Sequence, residues 1–335
     1  MAEQRKIAVI GGGSWGTAFA WLQGTKGVPV TVWAREPEVV EGINTFKRNP
    51  FFCKGALLPT CVCATGDLAE ALDGAWLGVA AVPSKFLPGM VDELRPVWPD
   101  GTAYLSLTKG LCGEPPGFAN EYFARNWPEL GSARFAVLSG PNLADEVAAG
   151  KPAAAVVASE SAELALKIQG AVSAPTYRVY TSSDVTGVEV GGSVKNIIAI
   201  AAGIVEGLGL GINARSVLIT RGLVEMSRFA RSLGARPETL MGLSGLGDLI
   251  TTCSGPKSRN FGFGMRLAAG ESADAIVESM RMVAEGVTTA RAIRERAASM
   301  GVEMPIAEQV CRILDGAATP ADAISALMGR ELKAE

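Results

Sequence analysis

The sequence has 335 residues, of which 48% are hydrophobic, so it is long enough for two domains with sizeable cores. Its formal net charge of −3 gives no general attraction to nucleic acid or anionic lipid, so an anionic substrate must be bound by a few placed cations. The absence of histidine excludes Ser-His and Cys-His nucleophilic systems, histidine-liganded metals and a histidine general base. Proton transfer then falls to Lys, Asp, Glu, Tyr or Cys.

The cysteines and the apolar segments bear on the compartment. The six cysteines are scattered, and Cys61 and Cys63 lack a second pair at zinc-ligand spacing, so we expect reduced, mostly buried thiols and no metal site. The apolar run at residues 197–205 is ended by Glu206 and is predicted to be too short to span a bilayer. The chain enters its first strand without an apolar leader, and we therefore expect a cytoplasmic protein.

The first predicted element is a strand at residues 6–10, followed by glycines at G-x-G-x-x-G spacing and then by a helix-like segment. This order is typical of a dinucleotide-binding turn. Gly11 allows the tight turn, Gly13 lets a pyrophosphate approach the backbone, and Gly16 lets the helix lie close to the strand. The N–H groups at the start of the helix attract phosphates. The alternative is a glycine-rich surface loop.

Strand-like and helical patterns continue to alternate through the first half of the chain. Such alternation predicts βαβ units and a largely parallel, doubly wound α/β sheet of the Rossmann type. Residues 177–180 are predicted to add a strand at the edge of this sheet. The other predicted strands are residues 28–33, 77–82, 103–107, 135–138 and 154–158.

The pattern changes near residue 184, where strand signals fade and long helical patterns begin. We therefore predict a dinucleotide-binding domain at residues 1–183 and an all-α substrate-binding domain at residues 184–335. The longest helical patterns cover residues 185–207, 214–233 and 288–300.

The end of the second strand bears on the choice of cofactor. A Rossmann fold that prefers NAD usually carries Asp or Glu there, hydrogen-bonded to the ribose 2′-hydroxyl. Here the strand ends in Trp33-Ala34-Arg35, and a guanidinium suits a 2′-phosphate. The sequence therefore favours NADP(H). NAD(H) is the alternative, if Arg35 is only a surface charge offset by Glu36.

Lys195 is the one charged residue within residues 191–202 of a predicted helix, with Gly191 and Ala199 one turn before and after it. These small side chains are expected to leave room around the ammonium group inside a core. Burial lowers the pKa of a lysine, and a lysine shifted toward neutrality can act as a general acid or base. The alternative is a lysine whose head group reaches solvent from the edge of a packed helix.

Two further groups of polar residues are candidate substrate contacts. Lys109 directly follows a strand at the carboxyl edge of the sheet, where ligands bind in such folds, unless it is a solvated loop charge. Ser258-Arg259-Asn260 combines a hydroxyl, a guanidinium and an amide, and predicts a phosphate site if it opens a helix. Asp248 is expected to accept a substrate hydroxyl, to hold an active-site lysine, or to cap a helix.

Together these motifs resemble those of the bacterial-type, NAD(P)-dependent sn-glycerol-3-phosphate dehydrogenases. Several short motifs in a fixed order are far more specific than any one of them, and they run from residue 7 to about residue 306. The matching stretches are residues 11–18, 108–110, 139–141, 187–203, 213–215, 219–222, 245–248, 258–260 and 285–286.

The resemblance implies a Rossmann domain followed by an all-helical domain of the 6-phosphogluconate dehydrogenase type, commonly in a homodimer. It implies the reversible NAD(P)H-dependent reduction of dihydroxyacetone phosphate to sn-glycerol 3-phosphate, which supplies glycerophospholipid synthesis. No nucleic acid, metal or stable membrane insertion is implied.

The resemblance also implies roles for individual residues. Lys195 is implied to be the proton donor and acceptor, and Lys109 to contact both substrate and cofactor. The other implied substrate contacts are Gly140, Asn142, Asp248, Ser258, Arg259 and Asn260. Besides the three glycines of the turn and Lys109, the implied dinucleotide contacts are Ser14, Trp15, Arg35, Ala144, Arg259, Val283 and Glu285.

Three positions depart from the family pattern. Asn142-Leu143 stands where Ser or Thr followed by Phe or His is common, and the amide can still make a hydrogen bond. Gly262 stands where arginine is frequent, which removes one cation near the cofactor. Ala284 replaces a valine, with little consequence expected.

Two other functions remain open from the residues. A related dehydrogenase acting on a hydroxy acid would not require the phosphate site at Ser258-Arg259-Asn260. A dinucleotide-sensing protein without turnover would not require a proton carrier such as Lys195.

Overall fold

The computed structural model describes residues 5–280 and 284–332, so Val283, a predicted cofactor contact, lies outside the described residues. The chain separates into two compact units, the first ending at Val188 and the second beginning at Glu189. This divide lies inside one long helix, whereas the predicted boundary follows residue 183.

Eight strands of the first unit form one sheet, and they are β1 (Ile7–Ile10), β2 (Val30–Trp33), β3 (Val62–Thr65), β4 (Leu77–Ala80), β5 (Ala103–Ser106), β6 (Phe135–Ser139), β7 (Ala153–Ala158) and β8 (Tyr177–Ser182). Their order is β3-β2-β1-β4-β5-β6-β7-β8. Neighbouring strands are parallel except for the antiparallel pair β6 and β7. The predicted Rossmann-type sheet, largely parallel and with its last strand at the edge, is confirmed.

The strand β3 at the opposite edge is one that the sequence pattern does not reveal. Val62 is its only large aliphatic residue and Cys63 is exposed, so it lacks the continuous apolar run of the central strands. Parallel pairing with β2 aligns Val62 with Val30, which defines this strand through a distant partner. Cys53, Cys112, Cys253 and Cys311 are buried, which confirms the expectation that most thiols are buried.

Helices of the first unit lie between the strands, and they are α1 (Ser14–Gly24), α2 (Pro37–Phe46), α3 (Leu68–Leu72), α4 (Leu87–Leu94), α5 (Ala119–Asn126), α6 (Ala144–Ala148) and α7 (Ala162–Val172). Both faces of the sheet are covered. Ile7 and Val9 of β1 belong to one apolar cluster, and Ala8 and Ile10 belong to the other. Because central parallel strands are buried on both faces, they appear in the sequence as continuous apolar runs.

The described part of the second unit is helical. Its elements are α8 (Val185–Gly207), which starts in the first unit, followed by α9 (Gly211–Ser232), α10 (Pro237–Leu240), α11 (Asp248–Cys253), α12 (Arg259–Ala268), α13 (Ala273–Ser279), α14 (Glu285–Ser299), α15 (Pro305–Leu314) and α16 (Pro320–Met328). The three predicted long helices correspond to α8, α9 and α14.

The helix α8 corrects the prediction about membrane-spanning length. It has 23 residues and is long and apolar enough to cross a bilayer, because the helix begins well before residue 197. The whole apolar window is nevertheless buried inside the protein. A helix that is apolar on all sides is expected in a protein core, and burial accounts for the composition of α8.

Glu225 in α9 is a buried carboxylate that holds the start of α15. Its two oxygens accept hydrogen bonds from the backbone N–H groups of Ile306 and Ala307, both at 2.9 Å. Burial raises the pKa of the Glu225 carboxyl to about 7, although these hydrogen bonds and the charges of Arg228 and Arg330 act in the opposite direction. Ionisation of this group therefore costs free energy in the folded state.

We expect Glu225 to make the protein less stable as the pH rises. The pKa of Glu225 in the folded protein, about 7, lies above its ordinary value of 4.5, so between these values the unfolded chain has lost a proton that the folded chain retains. The variant Glu225→Gln has no carboxyl group to titrate at this position and serves as the reference. The free energy of unfolding of the wild type, relative to that of this variant, should fall by on the order of 3 kcal/mol between about pH 4 and pH 8. Urea unfolding across this range measures the difference, and parallel pH curves for the two proteins would contradict the assignment.

Candidate active site

The turn between β1 and α1 has the geometry of a phosphate-binding turn. Gly11 has a φ of 116°, a conformation that side chains other than glycine rarely adopt. A Cβ at Gly16 would lie 2.0 Å from the carbonyl oxygen of Gly11, so glycine is required for α1 to pack against the turn. Apart from Gly13 and its two neighbours in the chain, no atom of the described residues lies within 4 Å of a Cβ placed at Gly13. The residues present therefore fit a pyrophosphate at the start of α1.

Ser14 and Trp15 form the beginning of α1. The ring of Trp15 lies 6.5 Å from that of Phe19 in a T-shaped arrangement and 6.4 Å from that of Tyr177. The Trp15 side chain thus packs onto the core of the first unit, which leaves its backbone N–H as the group at the helix start.

Arg35 follows β2 at the carboxyl edge of the sheet. Its Nη2 lies 2.7 Å from Oε1 of Glu93, and its guanidinium is 5.6 Å from the centre of the Trp33 ring. The paired carboxylate is therefore Glu93, whereas the sequence suggested Glu36. The side chains of Arg35 and Glu93 are 56% and 47% exposed, so this pair is weak and the guanidinium is accessible to an anion.

The turns after β5 and β6 come together at the same edge. Lys109 donates a hydrogen bond from Nζ to the carbonyl oxygen of Gly140, at 3.2 Å. Asn142 lies two residues after Gly140, and its Nδ2 and Oδ1 atoms are both buried and have no hydrogen-bond partner among the described residues. Buried amides are nearly always hydrogen-bonded, so this orphaned amide fits a group that binds a ligand. Ala144 begins α6 directly beyond it.

Lys195 lies in α8 and is 5% exposed. Its Nζ is 2.5 Å from Oδ1 of Asp248, which is 2% exposed, and it donates a hydrogen bond to Oγ1 of Thr252 at 2.6 Å. The Thr252 hydroxyl in turn donates to the backbone carbonyl of Asp248, also at 2.6 Å. The ammonium group is therefore held inside the core by a carboxylate and a hydroxyl, and does not reach solvent from the edge of the helix.

The segment before Asp248 shows how this carboxylate reaches the lysine. Leu243–Gly247 forms a π-helical turn, and Asp248 is the first residue of α11. A Cβ at Gly191 would lie 2.5 Å from the carbonyl oxygen of Ser244, so the glycine lets the π-helical turn contact α8. The expectation of open room around the ammonium group is wrong on this side, because backbone occupies it. Single π-helical turns are frequent at functional sites.

The segment Ser258-Arg259-Asn260 opens a helix, which is the condition for the phosphate site that the sequence predicts. Ser258 is the N-cap of α12, and its hydroxyl oxygen accepts a hydrogen bond from the N–H of Phe261 at 3.3 Å. Arg259, the first helical residue, is exposed. A hydroxyl, a guanidinium and the N–H groups of a helix start therefore occupy one short segment, which is a chemistry suited to a phosphate.

The amide of Asn260 is used inside the second unit. Its Nδ2 donates to Oδ1 of Asn196 at 2.9 Å, and its Oδ1 accepts from the backbone N–H of Gly286 at 3.0 Å. This side chain therefore joins the residue after Lys195 to the start of α14. Glu285, a predicted cofactor contact, is the first residue of α14.

Thr252 is a site residue that the sequence reasoning missed. The sequence spacing could have indicated it, because a residue four positions after Asp248 lies one helical turn away on the same helix face. Asn196 falls within a matching stretch, but its link to Asn260 joins residues that are far apart in sequence and has no local signal.

The chain is similar to known proteins over most of its length. A family model described as NAD-dependent glycerol-3-phosphate dehydrogenase N-terminus matches residues 6–165, and one for the C-terminus of the same enzyme matches residues 184–325. The chain is 46% identical over 330 residues to glycerol-3-phosphate dehydrogenase (NAD(P)+) of Nitratidesulfovibrio vulgaris strain DP4, covering 98% of this chain and 100% of that protein. The protein of the same name from Rhodospirillum rubrum is 46% identical over 329 residues, covering 98% and 93%.

Structural similarity agrees with these matches. The crystal structure of glycerol-3-phosphate dehydrogenase from Coxiella burnetii has a TM-score of 0.89 to this chain at 36% identity, covering 98% of this chain and 99% of that one. The two family models together cover most of the α/β unit and of the helical unit, and each relative extends across both. This chain belongs to the NAD-dependent glycerol-3-phosphate dehydrogenase family.

Proposed function

We propose that this protein catalyses the reversible NAD(P)H-dependent reduction of dihydroxyacetone phosphate to sn-glycerol 3-phosphate. The observation that carries the proposal is the buried ammonium of Lys195, held by Asp248 and Thr252 in a chain that has no histidine. Membership of the family supports the substrate and the cofactor. A role in glycerophospholipid supply, a cytoplasmic location, a homodimeric state and the lack of membrane insertion belong to the same proposal.

The carboxyl edge of the sheet in the first unit is the proposed cofactor site. The turn at Gly11, Gly13 and Gly16 would hold the pyrophosphate with the N–H groups of Ser14 and Trp15. The bound reduced nicotinamide supplies a hydride to the carbonyl carbon of the ketone. The proposed contacts elsewhere along the chain are Arg35, Lys109, Ala144, Arg259, Val283 and Glu285.

The phosphate of the substrate is proposed to bind at the start of α12. The Arg259 guanidinium makes paired hydrogen bonds with phosphate oxygens, and the Ser258 O–H and the backbone N–H of Asn260 can donate as well. The Asn260 amide keeps the helix start in position through Asn196 and the N–H of Gly286. Asn142, Gly140 and Lys109 are the substrate contacts proposed for the first unit, where the orphaned Asn142 amide supports a polar ligand.

Lys195 is proposed to donate a proton to the carbonyl oxygen as it becomes an alkoxide. The positive charge of Lys195, assisted by that of Lys109, stabilises the developing negative charge before the proton is transferred. Asp248 and Thr252 hold the amine in one orientation. In the reverse direction the neutral amine of Lys195 accepts the proton of the secondary alcohol, and the two directions use the same groups.

The substrate assignment is tested by following NADPH absorbance with dihydroxyacetone phosphate and with a panel of 2-ketoacids. We expect oxidation of NADPH with the phosphorylated ketone and none with the ketoacids. Oxidation only with a ketoacid would replace the proposal by that of a hydroxy-acid dehydrogenase. NADPH binding without oxidation by any of these substrates would indicate a dinucleotide sensor.

We propose that the protein prefers NADP(H), and Arg35 tests this preference. Arg35→Ala should raise the KM for NADPH by about tenfold, since it removes a charge-assisted contact to the 2′-phosphate, and should change the KM for NADH by less than about twofold. Arg95→Ala is the matched control, because Arg95 is an exposed arginine that is likewise paired with a glutamate, Glu129. Equal effects of Arg35→Ala on the two cofactors would reject the role.

A further inference from the structure

Asn49 lies between α2 and β3, and it is 1% exposed beside the glycine turn. Its Nδ2 donates one hydrogen bond to the carbonyl oxygen of Gly12, at 2.8 Å, and another to Oγ1 of Thr17 in α1, at 2.9 Å. A side chain from a separate segment therefore holds both the middle of the turn and the first part of the helix that follows it.

The other end of the Asn49 amide is fixed as well. Its Oδ1 accepts hydrogen bonds from the backbone N–H groups of Phe51 and Phe52, at 3.0 and 3.1 Å. The Thr17 hydroxyl also lies 3.4 Å from the Gly12 carbonyl oxygen and donates to it. Because both donor hydrogens and the acceptor oxygen are used, the amide has one orientation, which makes it a rigid support.

The orientation of the Gly12 carbonyl decides where the next N–H group points. The peptide unit that joins Gly12 to Gly13 is planar and trans, so its C=O and N–H point in opposite directions. A carbonyl held by Asn49 directs the N–H of Gly13 away from Asn49. Without that support, a peptide between two glycines has access to many other orientations, because glycine is conformationally permissive.

We propose that Asn49 is a positioning residue for the dinucleotide: it holds the glycine turn in the orientation that binds the pyrophosphate, without contacting the cofactor. This inference rests on the proposed binding of the dinucleotide at that turn. Asn49 then lowers the entropic cost of binding, because the turn is ordered before the cofactor arrives.

A residue that only stabilises the fold would behave differently, and Asn44 provides the comparison. Asn44 is another asparagine close to the end of α2, and its amide makes two hydrogen bonds, one to the carbonyl and one from the N–H of Ala64, both at 2.8 Å. These bonds tie α2 to β3 and do not involve the glycine turn.

The experiment measures NADPH affinity by calorimetry, together with steady-state kinetics, for the full-length chain. Asn49→Ala should raise the Kd and the KM for NADPH by about tenfold, with kcat and the KM for dihydroxyacetone phosphate within about twofold of wild type. Asn49→Asp retains the acceptor and loses the donor, and it should weaken NADPH at least as much. Asn44→Ala should lower the thermal midpoint without changing the Kd for NADPH.

Thr17 keeps the test decisive if the Asn49 variants do not fold. Thr17→Val removes the hydroxyl that Asn49 binds, whereas Thr17→Ser retains it, so the valine variant alone should weaken NADPH by several fold. Equal NADPH affinity for both Thr17 variants, or for Asn49→Ala and Asn44→Ala, would overturn the inference. If the wild-type protein does not bind NADPH, the proposed function fails together with the inference about Asn49. If the wild type binds NADPH and only the variants behave otherwise than predicted, the inference about Asn49 alone fails.

Discussion

Lys195→Met is expected to lower kcat by about 10³-fold, with the KM for NADPH within a few fold of wild type. Methionine is similar to lysine in length and shape, but it carries neither a charge nor a transferable proton. The hydride can still be offered to the ketone, but the negative charge that develops on the oxygen has no buried cation to stabilise it. The loss should therefore appear in kcat, since the glycine turn lies on other elements and does not depend on Lys195.

A matched variant controls for the substitution itself. Lys167→Met makes the same change in a helix of the first unit, where the exposed ammonium lies 4.6 Å from the centre of the Trp76 ring. Its kcat should stay within about twofold of wild type. If Lys195→Met retained more than about a fifth of wild-type kcat, Lys195 would not be the proton donor.

The second large effect concerns stability, and it comes from the pairing of Lys195 with Asp248. Lys195→Met leaves the Asp248 carboxylate buried without its cation, and Asp248→Asn leaves the ammonium without its anion. Each single variant should lose about 3–5 kcal/mol of unfolding free energy, because an uncompensated buried charge is costly. The double variant carries neither charge, and it should recover to within about 1–2 kcal/mol of wild type.

Urea unfolding of the four proteins at one pH closes this double-mutant cycle. The double variant should remain as inactive as Lys195→Met despite its recovered stability, which separates the fold from the chemistry. If the double variant lost as much unfolding free energy as the two single variants together, Lys195 and Asp248 would not be coupled, and the arrangement of the site would be contradicted.

The parts of the fold that could be predicted are those defined by neighbouring residues. The β1 strand, the turn at Gly11 and the helix α1 follow one another in the sequence, so their order alone predicts them. The start of α12 at Ser258-Arg259-Asn260 is local in the same way, because the capping hydroxyl oxygen and the N–H group that donates to it are three residues apart. Lys195 stands out because its surroundings are uncharged.

The parts that could not be predicted depend on contacts between distant segments. The strand β3 has Val62 as its only large aliphatic residue, so it shows no strand pattern and is defined by pairing with β2. In the sequence Asn49 has no feature that distinguishes it from other loop residues, and only the structure shows its hydrogen bonds to Gly12 and Thr17. The sequence predicts open space at Gly191, whereas the backbone of Ser244 fills that space.

The apolar helix α8 shows a different limit. The helical pattern at residues 185–207 predicts its bounds, whereas the unbroken apolar run covers only residues 197–205, because the helix continues through Ser193 and Lys195. The apolar run alone therefore underestimates the length that could span a membrane, although the helical pattern does not.

The most direct test of the role of Lys195 is a single turnover in Lys195→Met, with enzyme in excess over NADPH and with saturating dihydroxyacetone phosphate. Stopped-flow absorbance then reports hydride transfer separately from product release. A hydride-transfer rate about 10³-fold below that of wild type, at unchanged NADPH affinity, is the predicted result. A rate within about twofold of wild type would contradict the claim that this buried ammonium carries the proton.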